Sequence, residues 1–404
     1  MVMRVLHVVP SFYPAHVYGG PIQSVYALCR HLARNGCEVR VLTTNANGRR
    51  AVLDVDTKRD IELAPGVNVR YCSRLRPEST SPELLRALPR YLRWADIVHL
   101  TAVYNFPTIP ALLACKVLGK PVVWSPRGAL QRWEGSTRLR SKAVWEQICR
   151  LAAPAGMVLH VTSEEEARES LEKIPGVEAA VIPNAVEIPD NPVRFPGDGT
   201  LRLLFLGRLH PKKGIENLLD ACRKLSLSTT RPWSLVIAGT GEKGYTESLR
   251  NRIAALGLED RVTMAGEVVG RAKDEALGRA SLLVAPSYTE NFGMVVAEGL
   301  AHGLPVIVGR GMPWQKMEEV GCGMWVDNDP ATLADSIARM SRMDLEGMGD
   351  AGRRWMEREF SWDGVAKRMI ELYRANVSGP ALRQASGAPM RGASASPLGQ
   401  GSNP

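Results

Sequence analysis

Long hydrophobic runs are missing from this sequence of 404 residues. No apolar stretch approaches the ~18–20 residues of a membrane-spanning helix, which sets a helical membrane protein aside. The opening MVMRVLHVVP has a short apolar run without signal-peptide architecture and reads as a first strand. Cysteine is sparse: Cys29, Cys37, Cys72, Cys115, Cys149, Cys222 and Cys322 are dispersed, with no C-x-x-C pair. That argues against a structural zinc site and fits free thiols in the cytoplasm. Acidic residues are scarce in the first 150 positions, 10 Asp and Glu against 22 Lys and Arg, whereas the whole chain carries a net charge of only +9. A basic half beside a neutral one suits an anionic neighbour: a phospholipid surface, a lipid-pyrophosphate or a nucleic acid. An ordinary basic surface fits the charge equally. No nucleic-acid recognition motif accompanies it, so nucleic acid is not expected as a partner.

The hydrophobic content of 45% is that of a soluble globular protein, and the length exceeds one ordinary core, so two domains are expected. VMRVLHVVP reads as a strand, IQSVYALCRHLARNG as a helix ending near Gly36, and CEVRVLTTN as the next strand. ADIVHL, KPVVWSP, MVLHVTS and AAVIPN follow as short apolar strands with helical stretches between. This alternation is the α/β pattern of a doubly wound parallel sheet. Residues 184–199 (NAVEIPDNPVRFPGDG) are rich in Pro, Asp and Gly without periodicity, and read as a linker between domains at 1–183 and 200–361. In the second domain LRLLFLGRL, WSLVIAG, RVTMAG, SLLVAPS and LPVIVG are strands, with GIENLLDACRKL and YTESLRNRIAALG helical. Residues 362–377 read as a terminal helix and the Ser/Gly/Pro/Ala-rich residues 378–404 as a disordered tail.

Two glutamates eight positions apart, Glu290 and Glu298 in PSYTENFGMVVAEGLAHG, carry the most information. SLLVAPS before them is a candidate buried strand and MVVAEGLAHG a helix. Glu290 then stands in the turn at a strand's C-terminal end, where open α/β sheets bind ligands, and Glu298 about two turns into the helix. A helix start favours an anion, yet two carboxylates beside it would repel a bare phosphate. They suit a ligand with hydroxyls on either side of its phosphates, as a nucleotide-sugar has. GRLHPKKG (Gly207–Gly214) follows a strand and places Arg208 and Lys213 near the next helix, cations suited to charge growing on a diphosphate leaving group. Lys212 is the bland neighbour. In YGGP the adjacent Gly19 and Gly20 let backbone approach a ligand closely. His99, in DIVHL, either lines an acceptor side or is a satisfied strand-end histidine; His302, four residues after Glu298, suits packing.

Three patterns point elsewhere. Asp327-Asn328-Asp329 mimics a D-x-D metal site but precedes a helix and reads as a turn and N-cap. GTGEKG (Gly239–Gly244) matches the dinucleotide fingerprint G-x-G-x-x-G, with Glu267 after the next strand, which supports a rival reading as an NAD-dependent oxidoreductase. The match lies mid-way through the second domain, not at its first strand. LQRWEGSTRLRSKAVWEQICR mixes tryptophan and arginine and is either an ordinary surface helix or one that lies on an anionic membrane.

The E-x7-E pair on a strand–turn–helix, followed by GLPVIV, resembles the retaining glycosyltransferases of the GT-B fold, family 4, and residues 1–377 can be read against that pattern. The resemblance implies two Rossmann-like doubly wound domains facing across a cleft, acceptor-binding first and donor-binding second, with the last helix crossing back. It implies that Arg208 and Lys213 contact the donor diphosphate, Glu298 holds the ribose hydroxyls and Glu290 orients the sugar. Gly19 and Gly20 would lie under the phosphates, Asn291, Phe292, Gly293 and Met294 near sugar and phosphates, and Gly266 and Glu267 near the base. Many relatives carry histidine where WSPRGALQRW has Arg127; arginine cannot act as a base at neutral pH, though it can bind a phosphate or a sugar hydroxyl. No metal or other cofactor is implied, the nucleoside-diphosphate sugar being a substrate. MPWQKMEEVGCGMWVDND resembles relatives in lipopolysaccharide and exopolysaccharide assembly. The acceptor this implies is a glycan, polyprenyl-diphosphate-linked, at the cytoplasmic membrane face. A nucleotide-binding protein without transferase activity is a further alternative.

Overall fold

The structure, a computed structural model, describes residues 2–75, 79–131, 139–195, 197–228, 230–379 and 390–391. Most of the expected tail, 380–389 and 392–404, lies outside the described residues, as does 132–138 in the tryptophan–arginine stretch. The chain divides into two compact units, Met1–Pro183 with Val365–Pro404, and Asn184–Gly364.

The first unit contains β1 (Arg4–Ser11), β2 (Glu38–Thr44), β3 (Ala46–Asn47), β4 (Ala51–Val52), β5 (Ile61–Ala64), β6 (Val67–Cys72), β7 (Ile97–Thr101), β8 (Val122–Ser125), β9 (Val158–Val161) and β10 (Glu178–Val181). Its helices are α1 (Gly20–Arg34), α2 (Pro82–Trp94), α3 (Thr108–Val117), α4 (Leu139–Ala152) and α5 (Glu164–Lys173). The main sheet runs β10-β9-β8-β7-β1-β2-β6-β5, with Met390–Arg391 added beside β10; β3 and β4 form a separate hairpin. Pairing is parallel except at the edges, where β5 and Met390–Arg391 run antiparallel. Val5, Leu6, Val8, Val39, Val41 and Leu100 are buried, as central parallel strands covered on both faces require. Ser81 and Ser163 start α2 and α5 by accepting the Leu84 and Glu166 N–H groups, each at 3.1 Å.

The second unit contains β11 (Leu201–Leu206), β12 (Trp233–Ala238), β13 (Val262–Gly266), β14 (Leu282–Ala285), β15 (Val306–Gly309) and β16 (Gly323–Val326). Its helices are α6 (Ile215–Ser228), α7 (Lys243–Ala255), α8 (Arg271–Arg279), α9 (Met294–Ala301), α10 (Met317–Val320), α11 (Pro330–Met340) and α12 (Leu345–Glu359). A last helix, α13 (Trp362–Val377), belongs to the first unit from Val365 onward. The sheet is wholly parallel in the order β13-β12-β11-β14-β15-β16. Side chains alternate across it: Leu203 and Phe205 enter one core with Leu218 and Leu235, while Leu204 enters the other with Val296 and Trp314.

Residues 184–195, the described first part of the segment expected as a linker, pack on this second unit. The Val186 N–H donates to Phe360 O at 2.9 Å, Arg194 to Gly303 O at 2.7 Å, and Arg353 to Pro189 O at 2.7 Å. In this irregular segment Pro189 O is satisfied by an arginine side chain in place of a ladder partner. All seven cysteines are buried free thiols.

Candidate active site

In the second sheet the winding reverses between β11 and β14, so a crevice opens beyond the C-terminal ends of these two strands. Gly207–Gly214 follows β11, and Glu290 lies in the turn after β14. The two turns are joined where Tyr288 N–H donates to Lys212 O at 2.9 Å, and the turn after β16 adds an Asn328 amide that donates to Pro286 O. Residues Pro211–Lys213 make one 3-10 turn capped by His210, whose Nδ1 accepts the Lys212 N–H at 3.2 Å. Gly214 leaves that turn in the left-handed region, where a Cβ would sit 2.2 Å from Pro286 O.

This stitching brings the Lys213 ammonium onto the Glu290 carboxylate, both side chains only 15% exposed. Lys212 Nζ lies 3.9 Å from the same oxygen. Burial pushes the Lys212 ammonium down from its ordinary value; Glu290 opposes this, and Lys213 and Arg208 add repulsion. Lys212 is thus a member of the cluster, not a bystander. Arg208 stands exposed beside it.

Helix α9 starts at Met294, where the sequence places it. Gly293, left-handed at φ 80°, caps α9, so Glu298 falls in the second turn. Its carboxylate pairs with Lys273 Nζ at 2.7 Å, a residue of α8 that sequence reasoning passed over. His302 packs behind, with Nδ1 2.8 Å from Glu298 O and Nε2 3.3 Å from Asp274. The Phe292 ring is core, set against Trp314 and Phe360, so any ligand contact there comes from its backbone. Asn291 and Met294, either side of Phe292-Gly293, are half-buried.

A cavity of about 420 Å³ opens at the ends of β12 and β13, lined by Gly239, Thr240, Gly241, Arg250, Ala265 and Gly266 among others. Gly266 is left-handed at φ 73°, and Glu267 beyond it is exposed. The glycines of GTGEKG have a reason unrelated to a dinucleotide. A Cβ on Gly239 would lie 1.8 Å from Gly207 O, and one on Gly241 2.2 Å from Leu209 O, because the turns after β11 and β12 press backbone to backbone. Gly244 has nothing within 4 Å, so the helix–strand approach that demands the fingerprint's third glycine is absent. Gly239→Ala is expected to cost about 1–3 kcal/mol in urea unfolding, whereas Gly244→Ala, inside α7, gains about 0.5–1 kcal/mol. Equal losses at both positions would overturn this account. Asp329 is an N-cap, its Oδ1 accepting the Ala331 and Thr332 N–H groups at 3.0 Å.

In the first unit Gly19, at φ 76°, ends a 3-10 turn and Gly20 opens α1, both exposed. Arg127 follows β8 in the left-handed region at φ 55°. Burial pushes its guanidinium down, against the pull of Glu166 and Tyr373. Glu166, wholly buried, ties this turn to α5: it accepts the Gly128 N–H at 2.5 Å and the Thr162 N–H and hydroxyl at 2.7 and 2.9 Å.

His99 does not line an acceptor surface. It is completely buried and bonded through both ring nitrogens, to the Tyr373 hydroxyl and, at 2.6 Å, to Ser125 Oγ. Ser125 Oγ is also 2.6 Å from His160 Nδ1, and His160 Nε2 is 3.0 Å from Ile182 O. A carbonyl only accepts, so His160 Nε2 carries its proton and Nδ1 accepts from Ser125. Ser125 therefore accepts from His99 Nε2–H, and Tyr373 donates to His99 Nδ1. The chain is satisfied with every imidazole neutral, and burial holds His160 at about 3 and His99 well below its ordinary value.

A family model described as glycosyl transferases group 1 matches residues 192–355, and one described as glycosyltransferase family 4 matches residues 18–188. The chain is 26% identical over 400 residues to a Xanthomonas campestris GDP-mannose:cellobiosyl-diphosphopolyprenol alpha-mannosyltransferase, covering 95% of this chain and 100% of the relative. Its fold resembles sucrose-phosphate synthase from Thermosynechococcus elongatus, with TM-score 0.70 and 20% identity over 92% of this chain and 98% of that one. It also resembles Anabaena HepE in complex with UDP-glucose, with TM-score 0.68 and 15% identity over 92% and 100%. With both family models matched in order along the chain, and two Rossmann-like units beneath them, this protein belongs to the GT-B glycosyltransferases of the group 1 and family 4 type.

Proposed function

We propose that this glycosyltransferase takes a sugar from a UDP- or GDP-sugar and transfers it, with retention of configuration and without a metal, to a hydroxyl of a polyprenyl-diphosphate-linked glycan. The setting is cell-surface polysaccharide synthesis at the cytoplasmic face of an anionic membrane. The observation that carries the reading is the half-buried Lys213–Glu290 pair at the switch point between β11 and β14. The full-length relative named for GDP-mannose and a diphosphopolyprenol acceptor supports both substrate classes, and the UDP-glucose complex of a protein of the same fold supports the donor class.

As the anomeric carbon–oxygen bond breaks, negative charge grows on the diphosphate, and Lys213 with Arg208 neutralises it. The acceptor oxygen forms its bond on the same face of the sugar, and the departing phosphate oxygen takes its proton. No protein nucleophile is then required, so arginine at position 127 is compatible with transfer. Glu290 accepts from sugar hydroxyls, releasing Lys213 toward the diphosphate, and Glu298 exchanges Lys273 for the ribose hydroxyls. Gly266 and Glu267 contribute to the base side.

Thermal unfolding against UDP, GDP, ADP, CDP and NAD+ tests this directly. One nucleoside diphosphate at 100 times its dissociation constant should add ~2.7 kcal/mol. Glu298→Ala should remove most of that shift while leaving the unliganded midpoint near wild type. Stabilisation by NAD+ alone, or by no nucleoside diphosphate, would defeat the proposal.

A further inference from the structure

We infer that the outer face of α3 and α4 docks on a bilayer containing anionic phospholipid. The inference deepens the proposed membrane setting and rests on it for the occupant, while the surface stands on its own geometry. Helix α3 turns Ala111, Leu112 and Cys115 inward and leaves Leu113, Val117 and the following Leu118 in solvent, Val117 at 83% exposure. Helix α4 buries Glu146, Cys149 and Ala152 and anchors Trp145, whose Nε1–H donates to Val103 O at 2.7 Å. Its outer stripe is Val144, Ile148 and Leu151, spaced i, i+4, i+7, with Leu139 exposed at its first turn and Leu151 67% exposed. The helices pack together, and Lys116 Nζ donates to Leu151 O at 2.7 Å. Seven exposed aliphatic side chains on two adjoining helices exceed the scattered singles of an ordinary surface.

Charge selects the occupant. Lys116, Arg140 and Arg150 are exposed on these helices, while Lys142 lies over the Tyr104 ring and Lys120 donates to Ala95 O at 2.8 Å. The one carboxylate on either helix, Glu146, points inward and accepts from the Tyr104 hydroxyl. Glu178 lines a depression at the border beside Lys116 and Arg150. A second copy packed face to face would set cations against cations, a repulsion that disfavours self-association. An anionic bilayer takes the aliphatic stripe at its headgroup–acyl boundary while lysine and arginine reach the phosphates. Helix α4 is ~20 Å long at 1.5 Å per residue, enough to lie in the interface plane. No helix among the described residues is long and apolar enough to cross a membrane, so this contact is peripheral. Helix α3 lies between β7 and β8 in the chain and α4 between β8 and β9, so the stripe belongs to connections that flank the sheet.

The experiment is flotation of the full chain with vesicles of phosphatidylcholine alone or with 30 mol% phosphatidylglycerol (about −30 to −50 mV at the surface), alongside Val117→Asp with Val144→Asp. Wild type should float only with the anionic vesicles and detach in high salt. The double variant should lose roughly tenfold or more of the bound fraction while transferring sugar to a soluble acceptor analogue at the wild-type rate. Equal flotation of variant and wild type overturns the inference, as does failure of wild type to bind. A wild-type dimer that the variant dissolves in sedimentation velocity, without vesicle binding, also overturns it by making the face a self-interface. Vesicle binding without any sugar transfer would fail the proposed function and leave this surface standing.

Discussion

Lys213→Ala lowers the transfer rate by roughly a hundredfold to a thousandfold, the range measured when one preorganised donor to a developing anion is removed. Lys213 is held before any ligand arrives, because Pro211–Lys213 form one tight turn and Gly214 fits beneath Pro286 and Asn328 where no side chain can. Its backbone therefore needs no reorganisation, and only the side chain swings from Glu290 to the diphosphate as sugar hydroxyls replace it. Lys212, 3.9 Å from Glu290, is the natural substitute, but burial already weakens its charged form, so it replaces Lys213 only in part. Lys212→Ala should accordingly cost less. Turnover is read as nucleoside diphosphate released per acceptor glycosylated, with the thermal midpoint recorded to show that the variant folds. A Lys213→Ala rate within threefold of wild type would remove Lys213 from the mechanism, and with it the pair on which the donor site is built.

The second unit was open to sequence reading because its strands are short apolar runs bounded by glycine or proline, and because Glu290 and Glu298 share one strand–turn–helix. What escaped was made by folding. Lys213 meets Glu290 across 77 positions and Lys273 meets Glu298 across 25, so neither pairing leaves a local signature. Strands β5 and β6 escaped for a different reason: VNVRYC buries Val67, Val69 and Tyr71 while Asn68 and Arg70 stay partly exposed, a half-polar pattern that resembles a loop beside the wholly apolar central strands. GTGEKG was legible as a glycine turn, yet the same letters serve a dinucleotide or a close backbone crossing, and only the position of Gly207 O separates them. His99 stands on β7, but its partners come from β8, β9 and α13, so no single segment shows the set.

That set makes the protein lose stability as pH falls from about 6.5 toward 3. His7 is wholly buried on β1, stacked on His99 with ring centroids 4.6 Å apart, and neither of its ring nitrogens has a hydrogen-bond partner among the described residues. Burial, with Arg127 adding repulsion, holds both His7 and His160 at about 3, and His99 lies well below its ordinary value. The unfolded chain titrates these groups near 6.5, so between the two values it binds more protons than the folded one. Stability is therefore full above about pH 6.5 and falls with acid, by about 1.4 kcal/mol per pH unit for each such histidine. Urea unfolding at pH 8, 7, 6 and 5 measures the slope, and His7→Leu isolates one contributor. Leucine removes the titration without breaking a hydrogen bond, because His7 makes none among the described residues, so stability at pH 8 should hold or rise. Between pH 6.5 and 5 the variant should lose roughly 2 kcal/mol less than wild type. Identical slopes in the two proteins would mean that His7 takes up its proton in the folded state.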